Sequence, residues 1–275
     1  MKEIQLNKKK VAMPFTILLV LSVLIFFIFI ALFAPLINSY DPHAVDLSLR
    51  LCSLSYEHPF GCDLYGGDFF SQIIQGTRTS LYIATCTVIG TISIGLILGT
   101  LAGYFKGIVD QVILHIMEIF MAFPGILLAM SIAALLGNGL NNIILALVIS
   151  GWTAPARIVR GEILKIREYE YIAAARSLGM TDLRIIWKHI LPNVWSHLII
   201  NASFAFSSSI LVESSLSFLG FGSQQNPSWG SLINQGRTVL AEAPHLSIIP
   251  GLLIFTLVLI LNYLGDYLRE RFNTH

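Results

Sequence analysis

Apolar residues in this chain come in long blocks broken by short polar stretches, not in the alternation expected of half-buried strands. Six blocks approach the roughly 20 apolar residues a helix needs to cross a bilayer: 15–37, 80–103, 112–136, 143–159, 198–219 and 246–268. The fourth is interrupted by Pro155, and the fifth is serine-rich with Glu213 inside it. The pattern predicts an all-α polytopic membrane protein with six transmembrane helices. It divides into an N-terminus with the first helix (1–37), an external loop (38–75), a five-helix core (76–268) holding a polar loop at 160–193, and a short tail (269–275). Lys8, Lys9 and Lys10 precede the first block as in a signal peptide. That block is too long for such a peptide and no A-x-A site follows it, so an uncleaved helix is expected. No internal repeat is visible.

Composition agrees with the pattern. Charged residues make up 12 % of the 275 positions, against about 25 % in soluble domains. Basic residues mark the cytoplasmic side of short loops. Placing the N-terminus inside puts fourteen lysines and arginines on that side, among them Lys2, Lys106, Arg157, Arg160, Lys165, Arg167, Arg176 and Arg184. Only Arg50, Arg78 and Arg237 fall outside. Both termini and the polar loop are therefore expected in the cytoplasm. The net charge of +1 gives no reason to expect a nucleic-acid partner; lipid is the expected surrounding. Cys52 and Cys62 share the outer loop, where a disulfide is permitted, while Cys86 reads as a small packing residue. The sequence leaves the state of the pair open, and no C-x-x-C spacing supports a metal or redox site.

Candidate chemistry changes this picture little. No lysine follows a glycine, so the G-x-x-x-x-G-K-[ST] phosphate loop is absent, as are H-E-x-x-H and G-x-S-x-G. The chain is not expected to be an enzyme. Gly95, Gly99 and Gly103, continuing Thr87 and Thr91 at a spacing of four, lay a groove along one helix face that another helix can approach closely. His115 and Glu118 share a face of the third span, which Pro124 and Gly125 break. With Glu213 they are the ionisable candidates for a pore lining or a proton relay, although the first two fall near the cytoplasmic end of the span, where snorkelling or a hydrogen bond within the bundle is the better explanation.

The polar segment at 168–193, "EYEYIAAARSLGMTDLRIIWKHILPN", stands apart from the rest. Residues 168–178 favour a helix, and Gly179 sits where a C-terminal glycine cap belongs. Thr181 suits an N-cap, with Asp182 in the following first turn. Leu183, Ile186, Trp187, Ile190 and Leu191 then form one apolar face, and Pro192 is expected to end the helix. The result is a helix–turn–helix with a patch of small side chains, Ala173, Ala174 and Ala175. It reads as a dock for a partner or as an amphipathic connector resting on lipid headgroups.

This segment resembles the E-A-A-x-x-x-G-x(9)-I-x-L-P loop of ABC importer permeases. Ala174, Ala175, Gly179, Leu191 and Pro192 match, while Ala173 stands in place of Glu and His189 in place of Ile. Upstream, "HPFGCDLYGGDFFSQ" (58–72) is similar to H-P-L-G-T-D-x-x-G-R-D-x-x-S-R of the peptide/nickel branch, with Cys62 for Thr, Gly67 for Arg and Gln72 for Arg. "WTAPARIVRGEILKIREYEYIAAARSLG" (152–179) is similar to that branch's lead into the loop. Downstream, "ESSLSFLGFGSQQNPSWGSLINQG" (213–236) is close to the L-S-F-L-G and P-S-W-G signature of its C-type subunit. The resemblance runs from His58 almost to the end.

What it implies is a type I ABC importer permease. Such a chain pairs with a second, B-type permease. Its loop docks on one or two ATPase subunits, which carry ATP and Mg, and an external binding protein delivers the substrate. No cofactor is expected on this chain. Coupling would fall to Ala173, Ala174, Ala175, Gly179, Met180, Thr181 and Asp182. The branch handles di- and oligopeptides, or nickel and metal chelates, and peptides are the expected substrate. A proton-driven secondary transporter and a structural scaffold are the remaining alternatives.

Overall fold

Helices account for nearly all regular structure in the computed structural model, which describes residues 15–273 apart from Ser39, His43 and Gln224. The basic N-terminus with Lys2, Lys8, Lys9 and Lys10 lies outside the described residues, as do the last two positions of the tail. The helices are α1 (Phe15–Ile37), α2 (Phe69–Phe105), α3 (Gly107–Met121), α4 (Gly125–Leu136), α5 (Leu140–Gly151), α6 (Thr153–Ile166), α7 (Glu170–Ser177), α8 (Asp182–Ile185), α9 (Leu191–Leu216), α10 (Trp229–Gly236) and α11 (His245–Asn273). No strand occurs among the described residues; Cys62 and Asp68 form an isolated bridge. Five helical stretches among the described residues are long and apolar enough to cross a membrane, or six if one bent pair is a single span.

That bent pair is the expected third span, and it is not one helix. Pro124 lacks an amide hydrogen and cannot continue a helical ladder. α3 therefore stops at Met121, α4 starts at Gly125, and the two meet at 87°. Pro155 has the milder effect its position allows. α5 closes at Trp152 and Thr153 opens α6, so the proline falls in a first turn, where an amide hydrogen has no intrahelical partner.

α2 corrects the expected loop boundary. It starts at Phe69 and runs 37 residues, about 56 Å at 1.5 Å per residue, well beyond the roughly 30 Å hydrocarbon layer. Asp68 caps it by accepting the Ser71 amide at 2.8 Å. Its first turns carry Gln72, Gln75, Thr77, Arg78 and Thr79, which hides this part from a hydropathy scan. The expected span 80–103 covers only the C-terminal two-thirds of α2, and the loop ends at 68, not 75.

Around this long helix the others assemble. α2 contacts α1, α3, α5, α6, α9 and α10, while α11 packs on α1, α9 and α10. The glycine face is the tightest of these seams. A Cβ at Gly95 would stand 2.8 Å from the Ala156 nitrogen, one at Gly99 2.6 Å from the Ala156 oxygen, and one at Gly103 3.0 Å from the Arg160 oxygen. α2 and α6 thus meet backbone to backbone. Arg160 also holds α3 to α6 through a two-pronged contact with Asp110, at 2.6 and 2.8 Å. Although remote in sequence, α1 is tied in through Phe27, whose ring meets Trp229 edge-on at 5.8 Å.

Candidate coupling surface

α7 and α8 form the predicted helix–turn–helix, built around Gly179. The glycine has φ +77°, the left-handed region that side chains with a Cβ avoid. The Met180 amide reaches back to the Ala175 oxygen at 3.1 Å and the Gly179 amide to the Arg176 oxygen at 2.9 Å. These are the paired bonds of a Schellman cap, which satisfy carbonyls left over at a helix end. Thr181 adopts the extended N-cap backbone, but its side chain makes no capping bond. Asp182 accepts a hydrogen bond from the Tyr104 hydroxyl at the end of α2.

Two expectations fail beyond this turn. Pro192 does not end the second helix. A π-helical turn at Ile186–Ile190 carries α8 straight into α9, and the proline falls in the first turn of α9, where its missing amide hydrogen is tolerated. The wide turn also shifts the helical register, which splits the expected apolar face. Ile186, Ile190 and Leu191 are buried, while Leu183 is 70 % and Trp187 72 % exposed. Leu178, at the end of α7, is 86 % exposed.

The segment therefore has two sides. On the inner side Ile172, Ala175, Ile185, Ile186 and Ile190 pack with Tyr104, Val159, Ile163 and Ile166 from α2 and α6. Met180, half-buried, joins them. On the outer side Ala173, Ala174, Thr181 and Asp182 are exposed beside Leu178, Leu183 and Trp187. The alanine patch is thus divided, with Ala175 facing in.

Polar contacts fasten the same segment to α2. The Arg176 guanidinium lies over the Tyr104 ring, 5.2 Å from its centre. The Arg167 guanidinium donates to the Tyr104 carbonyl oxygen at 2.8 Å, and Lys106 pairs with Glu168 at 3.1 Å. A hydrogen bond from Lys106 holds the Glu168 carboxyl below its ordinary range, and the Tyr104 hydroxyl raises Arg176 above its own. Sequence reasoning missed Tyr104, Lys106 and Arg167. Nothing in the pattern distinguishes a tyrosine ending a span from the interfacial aromatics common there.

The other candidates lie elsewhere. His115 and Glu118 are both exposed on α3, and no described hydrogen bond or ion pair joins them. His115 Nδ1 pairs with the Gln111 backbone oxygen at 2.6 Å, within its own helix. Glu213 is fully buried and far from that pair in its contacts. It accepts from Ser217 at 2.7 Å and from Ser214 and Ser80 at 3.4 and 3.5 Å. Ser80 Oγ in turn accepts the Trp229 amide at 3.2 Å. Glu213 therefore joins the two signature motifs, L-S-F-L-G and P-S-W-G, to α2. Gly230 lets α10 come against the Ser214 backbone, where a Cβ would collide. In the loop between α1 and α2 Cys52 and Cys62 are bridged. With His58 they are the metal-capable cluster among the described residues, but both sulfurs are taken by the disulfide.

A broken, glycine-seamed helical bundle with an outward-facing helix–turn–helix at one end belongs to the class of polytopic transport permeases. The family model for the binding-protein-dependent transport system inner membrane component matches residues 95–274, and the chain belongs to that family. The dipeptide transport system permease protein DppC of Alkalihalophilus pseudofirmus is 39 % identical over 97 % of this chain and 86 % of its own length. The glutathione transport system permease protein GsiD of Pectobacterium atrosepticum is 43 % identical over 78 % and 72 %. A chain of the MetNI methionine ABC transporter, solved in inward-facing conformations, aligns at TM-score 0.60 and 21 % identity. That match covers 72 % of this chain and 94 % of that one, a likeness of fold. The chain is thus an inner-membrane ABC importer permease and not an enzyme, one subunit of an assembly in which ATPase activity lies on partner chains.

Proposed function

We propose that this permease carries peptides and that residues 170–190 couple it to its ATPases. The observation that carries the coupling assignment is the two-sided build of α7 and α8. Their outer side presents small and apolar side chains, while their inner side is fastened to α2 and α6. A partner grasping Ala173, Ala174, Leu178, Leu183 and Trp187 would move both long helices through Tyr104 and the buried isoleucines. Met180, Thr181 and Asp182 form the turn between the two grips. The excess of basic residues on this side supports a cytoplasmic location for the loop and for both termini. ATP and Mg belong on the ATPase partners, and an external binding protein would deliver substrate at the opposite end. The relatives' names, dipeptide, glutathione and peptide transport, support a peptide substrate over nickel.

The test is a pull-down of the tagged protein from mild detergent with identification of the chains that follow it. A second permease and ATPases are expected. Recovery alone or as a homodimer, with transport persisting in vesicles without ATP, would overturn the assignment.

A further inference from the structure

At the end of α2 opposite the coupling segment, the outer loop and the signature motifs enclose a cavity of about 350 Å³. That is the low end of small-molecule sites. Its wall includes Asp63 and Gln72 on one side and Ser217, Ser231, Asn234 and Gln235 on the other. Among the described residues Asp63 is its lining carboxylate, and no lysine or arginine lines it.

The Asp63 corner has an unusual balance of charge. One carboxylate oxygen accepts the amides of Tyr65 at 2.9 Å and Gly67 at 2.8 Å, and the other accepts Gln72 Nε2 at 2.7 Å. All three donors are neutral. Among the described residues no cation lies within ion-pair distance, although Asp63 is 6 % exposed. A buried carboxylate in that condition is costly unless a positive partner arrives. The bond to Asp63 fixes the orientation of the Gln72 amide, and Gln72 Oε1 is left buried without a hydrogen-bond partner.

The sequence explains why the corner lacks a cation. The two positions at which the similar pattern carries arginine are here Gly67 and Gln72, and both touch Asp63. A Cβ at Gly67 would lie 3.4 Å from Asp63 Oδ1 and 2.7 Å from Gln72 Nε2. Asp63 and Gln72 therefore line a cavity beside which Gly67 and Gln72 stand in place of the two arginines of the similar pattern. The Asp63 carboxylate and Gln72 Oε1 accept hydrogen bonds, so a ligand complementary to them donates hydrogen bonds and carries positive charge.

We propose that this cavity receives a primary ammonium group, the free amino terminus of a transported peptide, between Asp63 and Gln72 Oε1. Ser231, Asn234 and Gln235 are placed to hydrogen-bond the first peptide unit. This rests on the peptide reading given above.

The test uses the purified complex of the permease with its partner subunits in lipid nanodiscs, without binding protein. Saturation-transfer NMR compares L-alanyl-L-alanine with N-acetyl-L-alanyl-L-alanine. The free amine is expected to bind at least tenfold more tightly. Gln72→Arg, which places a guanidinium beside Asp63, and Asn234→Lys, which leaves every Asp63 hydrogen bond intact, should each weaken the free dipeptide at least tenfold. Equal binding of the two probes, or two folded variants that bind like the parent, would overturn the proposal. Uptake by the complete importer in vesicles separates the two readings. If peptides are taken up but the probes bind alike, the ammonium site alone fails. If no peptide is taken up while the amine preference persists, the peptide function fails and the site stands as an amine site.

Discussion

The seam between α2 and α6 can be tested by adding one methyl group in two places. In Gly99→Ala the new Cβ would sit 2.6 Å from the Ala156 carbonyl oxygen and 2.8 Å from Val159 Cβ. Ordinary contact begins near 3.4 Å, so the helices must part by roughly 0.8 Å at a point where backbone meets backbone. A carbonyl cannot rotate away as a side chain can. The separation also loosens the contacts at Gly95 and Gly103, because all three glycines share one face. Overpacking of this kind costs about 1–3 kcal/mol, and the upper half of that range is expected here. Gly161→Ala is the matched control, since nothing lies within 4 Å of a Cβ at that position of α6. Helix propensity alone favours that change by up to about 1 kcal/mol. Thermal unfolding in detergent should show Gly99→Ala melting about 5 °C or more below the parent, at roughly 2–4 °C per kcal/mol. Gly161→Ala should melt at or above the parent. Two variants that melt alike would refute the close seam.

Three further predictions follow from buried and paired groups. Glu213→Ala, which strands Ser217 and Ser80, should lower stability by about 2–3 kcal/mol. Glu213→Gln should restore most of it, as read by the same melts, because a buried amide can still accept from the serines. In the non-reduced protein, maleimide should label Cys86 alone. Breaking the Cys52–Cys62 bridge, ten residues apart, with Cys62→Ser should cost about 2–3 kcal/mol, and labelling at three sites would contradict the bridge. The Glu168 carboxyl is held low by Lys106, so this pair's contribution is full above the ordinary carboxylate range and is lost as pH falls through the lowered value. The melting difference between Glu168→Gln and the parent should therefore stay constant from pH 6 to 8 and close only as pH falls through the carboxylate range, whereas a difference that grows from pH 6 to 8 would contradict the pairing.

Much of this fold is legible in the sequence, and the parts that are not have local causes. Long apolar blocks announce the spans, and Gly95, Gly99 and Gly103 announce a close seam without naming α6 as the partner. Gly179 was readable because a helix end followed by glycine leaves the chain few alternatives. The extent of α2 was not readable, because hydropathy reports lipid contact, whereas its first three turns mix polar side chains with Phe69 and Ile73, which pack against Leu232 and Leu246 of the protein itself. Pro192 misled because a proline signals a stop only when no wide turn precedes it, and a π-turn has no sequence signature. Tyr104 was invisible for a different reason. Its role is set by Arg176 and Asp182, more than seventy positions away, and only the folded chain brings them together.

The central claim is that the turn at Gly179 transmits ATPase motion to the bundle, and Gly179→Val tests it most directly. Valine at φ +77° is strained by more than the roughly 1–2 kcal/mol of an ordinary side chain. Yet no atom lies within 4 Å of the new Cβ, so the damage stays in the turn. The measurement is substrate-stimulated ATP hydrolysis by the reconstituted complex, alongside the amount of variant in the membrane. The account predicts normal membrane levels with stimulation lost. Normal membrane levels with stimulation equal to that of the parent would contradict it.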